Sequence, residues 1–143
     1  MADDANRPAV EERGELSLLL DGTMMVLRPT FEAIQSIEGT LGRGLVDLAR
    51  DAIAGKLSLA DTAQIATECI RAFGRDTDDK NLAGAGAPKI ARLIYDAQGG
   101  LHSVQKTVSA MLSLAVTGGY TSSGELKPSA TTTTETAKAP ADG

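Results

Sequence analysis

The clearest structural signal in the chain is the segment GELSLLLDGTMMVLRP, residues 14–29. Two short apolar runs, 16–20 and 23–27, flank the dipeptide Asp21-Gly22. That dipeptide favours a two-residue turn whose residues need positive φ, so the segment predicts an antiparallel β-hairpin. A turn of this length also determines which residues of the two strands face each other.

The predicted register gives the hairpin two unequal faces. The core face pairs Leu20 with Thr23, Leu18 with Met25 and Leu16 with Leu27; the outer face pairs Leu19 with Met24, Ser17 with Val26 and Glu15 with Arg28. Leu19, Met24 and Val26 are thus apolar side chains on the more polar face. Because two strands alone are marginally stable in water, we expect the hairpin to pack on helices or to pair with another chain.

Helical patterns fill the chain after Pro29, which ends the second strand because it has no N–H for the ladder. Thr30 and Ser58 are the expected N-caps of the first and third helices, and the third is expected to end at Gly74. Apolar residues at helical spacing predict five helices. The residues expected to face inward are, in the first helix, Phe31, Ile34, Ile37 and Leu41; in the second, Leu45, Leu48, Ala49, Ala52 and Ile53; and in the third, Leu59, Ala63, Ala66, Ile70 and Phe73. The last two helices contribute Ile90, Leu93, Ile94 and Ala97, and Leu101, Val104, Val108, Met111, Leu112 and Ala115.

Composition divides the chain into three zones. Residues 1–13 are polar and predict a flexible arm. Residues 14–117 hold nearly all large apolar side chains and predict one hairpin-plus-bundle domain. Residues 118–143 are rich in Thr, Gly and Pro, and we expect them to be disordered because they offer little to bury. The predicted fold is therefore mainly α with an N-terminal β-hairpin, a bundle of about five helices and a disordered C-terminal tail.

Charge and composition exclude several classes of protein. The 143 residues contain 14 Lys+Arg against 19 Asp+Glu, a formal charge of -5, which disfavours binding to nucleic acid. A single Cys rules out an internal disulfide framework and indicates a reducing compartment. No apolar run approaches a membrane span, and the acidic N-terminus is unlike a signal peptide. We therefore expect a soluble intracellular protein without membrane or nucleic-acid partners.

Candidate chemical groups are few. His102 has no acid and nucleophile arranged with it in the sequence, and Cys69 is expected to be a small buried hydrophobe. Residues 76–81 resemble the start of a calcium loop, but Lys80 stands where the loop needs an oxygen ligand, Asn81 where it needs glycine and Ala87 where it needs a bidentate glutamate, so we expect a solvated acidic loop. Residues 84–86 lack the features of a phosphate-binding loop. The sequence thus predicts no enzyme activity, no catalytic residue, no cofactor and no metal site.

A series of short motifs runs in a fixed order from residue 14 to residue 74. These motifs are Gly14-Glu15, Asp21-Gly22, Leu27-Arg28, Ile37-Glu38, Gly42-Arg43-Gly44-Leu45, Gly55-Lys56-Leu57-Ser58 and Phe73-Gly74. Their order and spacing resemble the gene-transfer-agent family of small tail proteins, which is grouped with phage tail assembly chaperones. The resemblance extends less specifically to the last helix, and it assigns no role to the Thr-rich tail.

The resemblance implies work in the cytoplasm of a bacterial host, during assembly of a phage or phage-like tail. Chaperones of that type bind the tape-measure protein, a long and largely helical chain whose exposed apolar faces would self-associate. The implied partners are the tape-measure protein and tail tube subunits, and self-association stays open. The alternative is a structural, tail tube-associated component kept in the particle. Two short strands disfavour that alternative, because tube subunits build a continuous β-rich ring.

For the contact surface we predict Leu19, Met24 and Val26, together with an exposed apolar edge of the first or last helix. The competing interpretation is that the chain's own helices cover these side chains. A helical nucleic-acid adaptor and an enzyme are further alternatives, the first disfavoured by the net charge of -5.

Overall fold

A computed structural model describes residues 16–127 of the chain. Within that span the elements are β1 (Leu16–Leu20), β2 (Thr23–Leu27), α1 (Phe31–Leu41), α2 (Leu45–Ile53), α3 (Leu59–Asp76), α4 (Lys80–Ala83), α5 (Ala87–Asp96) and α6 (Gly100–Val116). The predicted mainly α fold with an N-terminal hairpin is confirmed. The predicted arm at residues 1–13 lies outside the described residues.

The hairpin has the predicted register. Leu16 pairs with Leu27, Leu18 with Met25 and Leu20 with Thr23, and the alternate pairs are Ser17 with Val26 and Leu19 with Met24. Asp21 and Gly22 form the turn with φ values of 51° and 72°. Both residues adopt the left-handed conformation that a two-residue turn matched to strand twist requires. Glu15 lies outside the described residues.

The helix α3 is the centre of the fold. It packs against β2, α1, α4, α5 and α6, and most of its 18 residues are buried. The core that it forms with these elements includes the fully buried side chains Leu20, Leu27, Ile37, Leu48, Ile65, Ile70, Ile94, Met111 and Leu112. The hairpin therefore rests on the helices, which supply the packing that two strands lack on their own.

The prediction that the third helix ends at Gly74 is wrong, because α3 continues to Asp76. Gly74 is buried in the helix, where a Cβ would lie 2.3 Å from the backbone nitrogen of Ala83. The glycine thus permits close approach of α4, and it does not end the helix. The predicted connector after it contains the four-residue α4, whose N-cap Asp79 accepts from the backbone N–H groups of Asn81 and Leu82.

Predicted capping residues begin two of the helices. The Thr30 hydroxyl accepts from the N–H of Ala33 at 3.0 Å, and the Ser58 hydroxyl accepts from the N–H of Asp61 at 3.0 Å. Each hydroxyl satisfies a donor that has no partner within its helix. Pro88 lies in the first turn of α5, as predicted.

The end of β2 is joined to α3 through Arg28. Its backbone N–H donates to the Cys69 carbonyl at 3.1 Å, and its Nη1 donates to the Asp76 carboxylate at 2.9 Å. The guanidinium also lies over the Phe73 ring, 5.8 Å from the centroid. Asp76 therefore orients a buried arginine, whereas the sequence predicted it to begin a solvated loop.

Residues 118–127 form an ordered segment that we call the C-terminal turn. Tyr120 bridges to Leu126 and packs on the core, and the Ser122 carbonyl accepts from the N–H of Phe31 at 2.9 Å. Gly124, at φ +83°, fits against the backbone that leaves β2. The prediction of disorder from residue 118 is therefore wrong as far as residue 127, because one aromatic side chain anchors this segment. The rest of the predicted tail, 128–143, lies outside the described residues.

Candidate partner-binding surface

The hairpin's outer face presents two of the three residues predicted to bind a partner. Leu19 and Met24 lie opposite each other across the strands, and they are 54% and 45% exposed. Directly opposed residues in an antiparallel pair have adjacent side chains. They form a small apolar surface, and their role in binding stays a prediction.

Val26, the third predicted residue, is 1% exposed and belongs to a cluster with Phe73 and Leu82. The prediction that it lies on an open face is wrong. Phe73 on α3 packs against Val26 at this end of the outer face, whereas Leu19 and Met24, nearer the turn, stay exposed. The hairpin's outer face is thus divided between core and surface, and Val26 belongs to the core.

A larger apolar surface lies beside α1. It is an open groove of about 440 Å³ between α1, the start of α2, the end of α6 and the C-terminal turn, and we call it the α1 groove. Its apolar lining consists of Pro29, Phe31, Ile34, Leu45, Ala115 and Tyr120. The other lining residues are Gln35, Thr121, Ser122 and Glu38. The groove thus combines Phe31 and Ile34 of the first helix with Ala115 of the last helix. The sequence predicted an exposed apolar edge on one helix or the other, and its role in binding stays a prediction.

Phe31 is the most exposed apolar residue of the α1 groove, at 54%. Successive helical residues are rotated by about 100°, so Phe31 lies well away from the buried Ala33 and Ile37. The prediction that Phe31 faces inward is wrong, because it rests on apolar spacing alone. A helical wheel centred on Ala33 and Ile37 would have shown that Phe31 faces outward.

Tyr120 is the groove residue that sequence reasoning missed. It follows two glycines in a polar stretch, so no apolar periodicity marks it. Burial, together with proximity to Cys69, raises the pKa of its hydroxyl to about 12. The ring packs on the core, and in doing so it positions the wall formed by Thr121 and Ser122.

The side chains that could take part in catalysis or metal binding do not lie close together. Cys69 is fully buried, its Sγ lies 3.6 Å from the Met111 sulfur, and burial raises the pKa of its thiol. His102 is exposed and lines a separate groove of about 370 Å³ between α2 and α6, beside Gln105 and Lys106. Among residues 16–127, no three His, Cys, Asp or Glu side chains are placed to hold a metal ion. Among the helices of residues 16–127, none is long and apolar enough to cross a bilayer.

Comparison with known families agrees with the motif order. A family model described as "Phage tail tube protein, GTA-gp10" matches residues 13–118. The match includes the hairpin and every helix from α1 to α6, and it ends where the C-terminal turn begins. No curated protein and no solved structure gives a significant match. Because the matched residues make up well over half of the 143-residue chain, this protein belongs to the phage tail tube protein, GTA-gp10 family of phage and gene-transfer-agent tail proteins.

Proposed function

We propose that this tail protein is an assembly chaperone. In the host cytoplasm it binds an apolar helical segment of the tape-measure protein and releases it as tail tube subunits assemble. The proposed role is binding, with no catalytic step. The observation that carries the proposal is the α1 groove, an open apolar surface on a helical body, with Phe31 exposed at 54%.

A groove of this kind suits reversible shielding of a helix. An amphipathic helix recognised in a groove inserts side chains at positions i, i+3 or i+4, and i+7. Covering the exposed half of Phe31 removes roughly 100 Å² of apolar surface from water, which stabilises a complex by about 2.5 kcal/mol. This one side chain contributes only part of the roughly 8 kcal/mol of a micromolar complex, so the other contacts of the groove must add to it, and the complex stays reversible. The surface made by Leu19 and Met24 is the proposed second contact.

The alternative is a structural role as a tail tube-associated component, and the family description favours it. Within residues 16–127, however, the sheet has only two strands. A tube wall built from β-strands must pair its edges from subunit to subunit, and one five-residue hairpin contributes little to such a ring. Association with tail tube subunits is common to both candidate functions.

Co-expression with the tape-measure protein tests the chaperone role. The partner to co-express is the tape-measure protein of the same phage or gene-transfer agent. We expect the tape-measure protein to become soluble and to co-purify with the wild-type chain. Phe31→Ser should weaken that complex roughly 50-fold, the affinity equivalent of about 2.5 kcal/mol.

Tyr95→Ser is the matched control, because Tyr95 is an aromatic residue on α5, 74% exposed and not part of the α1 groove. We expect this variant to bind as the wild type does. Equal loss in both variants, or no co-purification at all, would count against the chaperone role. Quantitative mass spectrometry of purified particles addresses the alternative: one copy for each tube subunit would establish the structural role.

A further inference from the structure

Resting on the proposed function, we infer that the α1 groove selects a helix that carries a Lys or Arg next to its apolar stripe, with Glu38 as the group that recognises it. Glu38 is the one charged residue among the described residues that line the groove. The partner is thereby defined by its chemistry as a basic amphipathic helix.

The Glu38 carboxylate is held in place by the fold. Its Oε2 accepts from the backbone N–H of Leu45 at 2.8 Å, across the turn that joins α1 to α2. The N–H of Leu45 is at the first turn of α2, where a helix has unpaired donors and favours negative charge. One carboxylate oxygen is thus used by the fold, and the side chain remains half-buried in the groove wall.

Among residues 16–127, no positive charge balances Glu38 from within the groove. The described lining residues include no Lys, Arg or His, and α1 contains none in its whole length. Within residues 16–127, the ion pairs involve Arg28, Arg43 and Arg71, and none of them includes Glu38. The nearest acidic neighbour on α1, Glu32, is exposed and is not part of the lining.

A helix that covers the groove therefore removes water from the Glu38 carboxylate and must replace it with a suitable partner group. Removing a charge from water is costly unless an opposite charge or hydrogen-bond donors replace the water. A purely apolar helix leaves Glu38 without compensation, and an acidic helix adds repulsion. A Lys or Arg at the edge of the apolar stripe pairs with Glu38, and attraction to the net charge of -5 also speeds the encounter.

Two synthetic helical peptides test the inference directly. Both carry the same leucine stripe on an alanine background, and they differ only in having Lys or Glu at the flanking positions. Binding of each labelled peptide to the full chain is measured by fluorescence anisotropy at low and high salt. We expect the Lys peptide to bind about tenfold more tightly at low salt, with the difference shrinking as salt rises.

Glu38→Gln isolates the charge, because glutamine retains an oxygen to accept from the N–H of Leu45. This variant should reduce the preference for the Lys peptide by about fivefold, the equivalent of a partly exposed ion pair. Glu32→Gln is the matched control: it removes the same charge from the same helix outside the lining, and the preference should change less than about twofold.

Equal binding of the two peptides, or an unchanged preference in Glu38→Gln, would overturn the inference. These outcomes are separable from failure of the proposed function. Loss of the peptide preference, with the tape-measure complex still sensitive to Phe31→Ser, refutes only the basic-helix inference. A clear peptide preference without any tape-measure complex refutes only the chaperone role.

Discussion

Truncating Val26 should destabilise the protein far more than truncating Met24, although they are only two positions apart on one face of one strand. Val26 is 1% exposed against Phe73, and Val26→Ala removes two methyl groups from that contact. Transfer of two buried methyl groups accounts for about 1.6 kcal/mol, and the cavity left behind brings the total to about 2.5 kcal/mol. Met24 is 45% exposed, so Met24→Ala should lower the free energy of unfolding by less than about 1 kcal/mol.

Thermal unfolding followed by circular dichroism measures this difference. For a domain of this size each kcal/mol lowers Tm by about 4 °C, so we expect a fall of about 10 °C for Val26→Ala and under about 4 °C for Met24→Ala. Equal Tm values for the two variants would refute the division of the outer face into core and surface. Binding of the tape-measure protein provides the complementary measurement: at a temperature where both variants are folded, only Met24→Ala should weaken it.

Three further predictions concern stability. Gly124→Ala forces a Cβ to within 2.8 Å of the Arg28 Cγ at a φ of +83°, so the C-terminal turn should detach, seen as faster hydrogen exchange at the N–H of Phe31 with α3 still protected. Asp76→Asn weakens an ion pair whose carboxylate is 42% exposed, and urea unfolding should show a loss of less than about 1 kcal/mol; a larger loss would mean that the pair is effectively buried. Burial raises the pKa of the Cys69 thiol, so the folded chain keeps a proton that the unfolded chain loses. Stability should therefore be level below about pH 8.5 and fall above it, by up to about 1.4 kcal/mol per pH unit, and Cys69→Ala should remove that part of the slope.

The parts of the fold that local sequence predicted are those governed by short-range rules. The Asp21-Gly22 turn sets the hairpin register, because only residues that tolerate positive φ suit it and side chains alternate with a period of two. The caps at Thr30 and Ser58 follow in the same way, since each hydroxyl needs only a donor three residues later.

The sequence predictions are wrong where contact with a distant segment of the chain determines the local structure. Gly74 predicts a helix end because glycine is a poor helix former, yet in the structure it lets α4 approach α3. The polar residues after α6 predicted disorder, yet Tyr120 packs on the core and the N–H of Phe31 donates to Ser122. Neither contact leaves a periodic signal in the sequence, because each depends on partners far away along the chain.

For the candidate site, the amino-acid pattern predicts the kind of surface: an acidic, helix-rich chain with apolar side chains on the hairpin's outer face and on the first or last helix. Which of these side chains a partner can reach depends on tertiary packing. Phe73 on α3 covers Val26, while Met24 stays exposed, and the C-terminal turn lies against α1 and forms one wall of the open groove that contains Glu38. The physical reason is that an amphipathic pattern states which side chains favour burial, whereas the packing of distant segments determines which of them are covered.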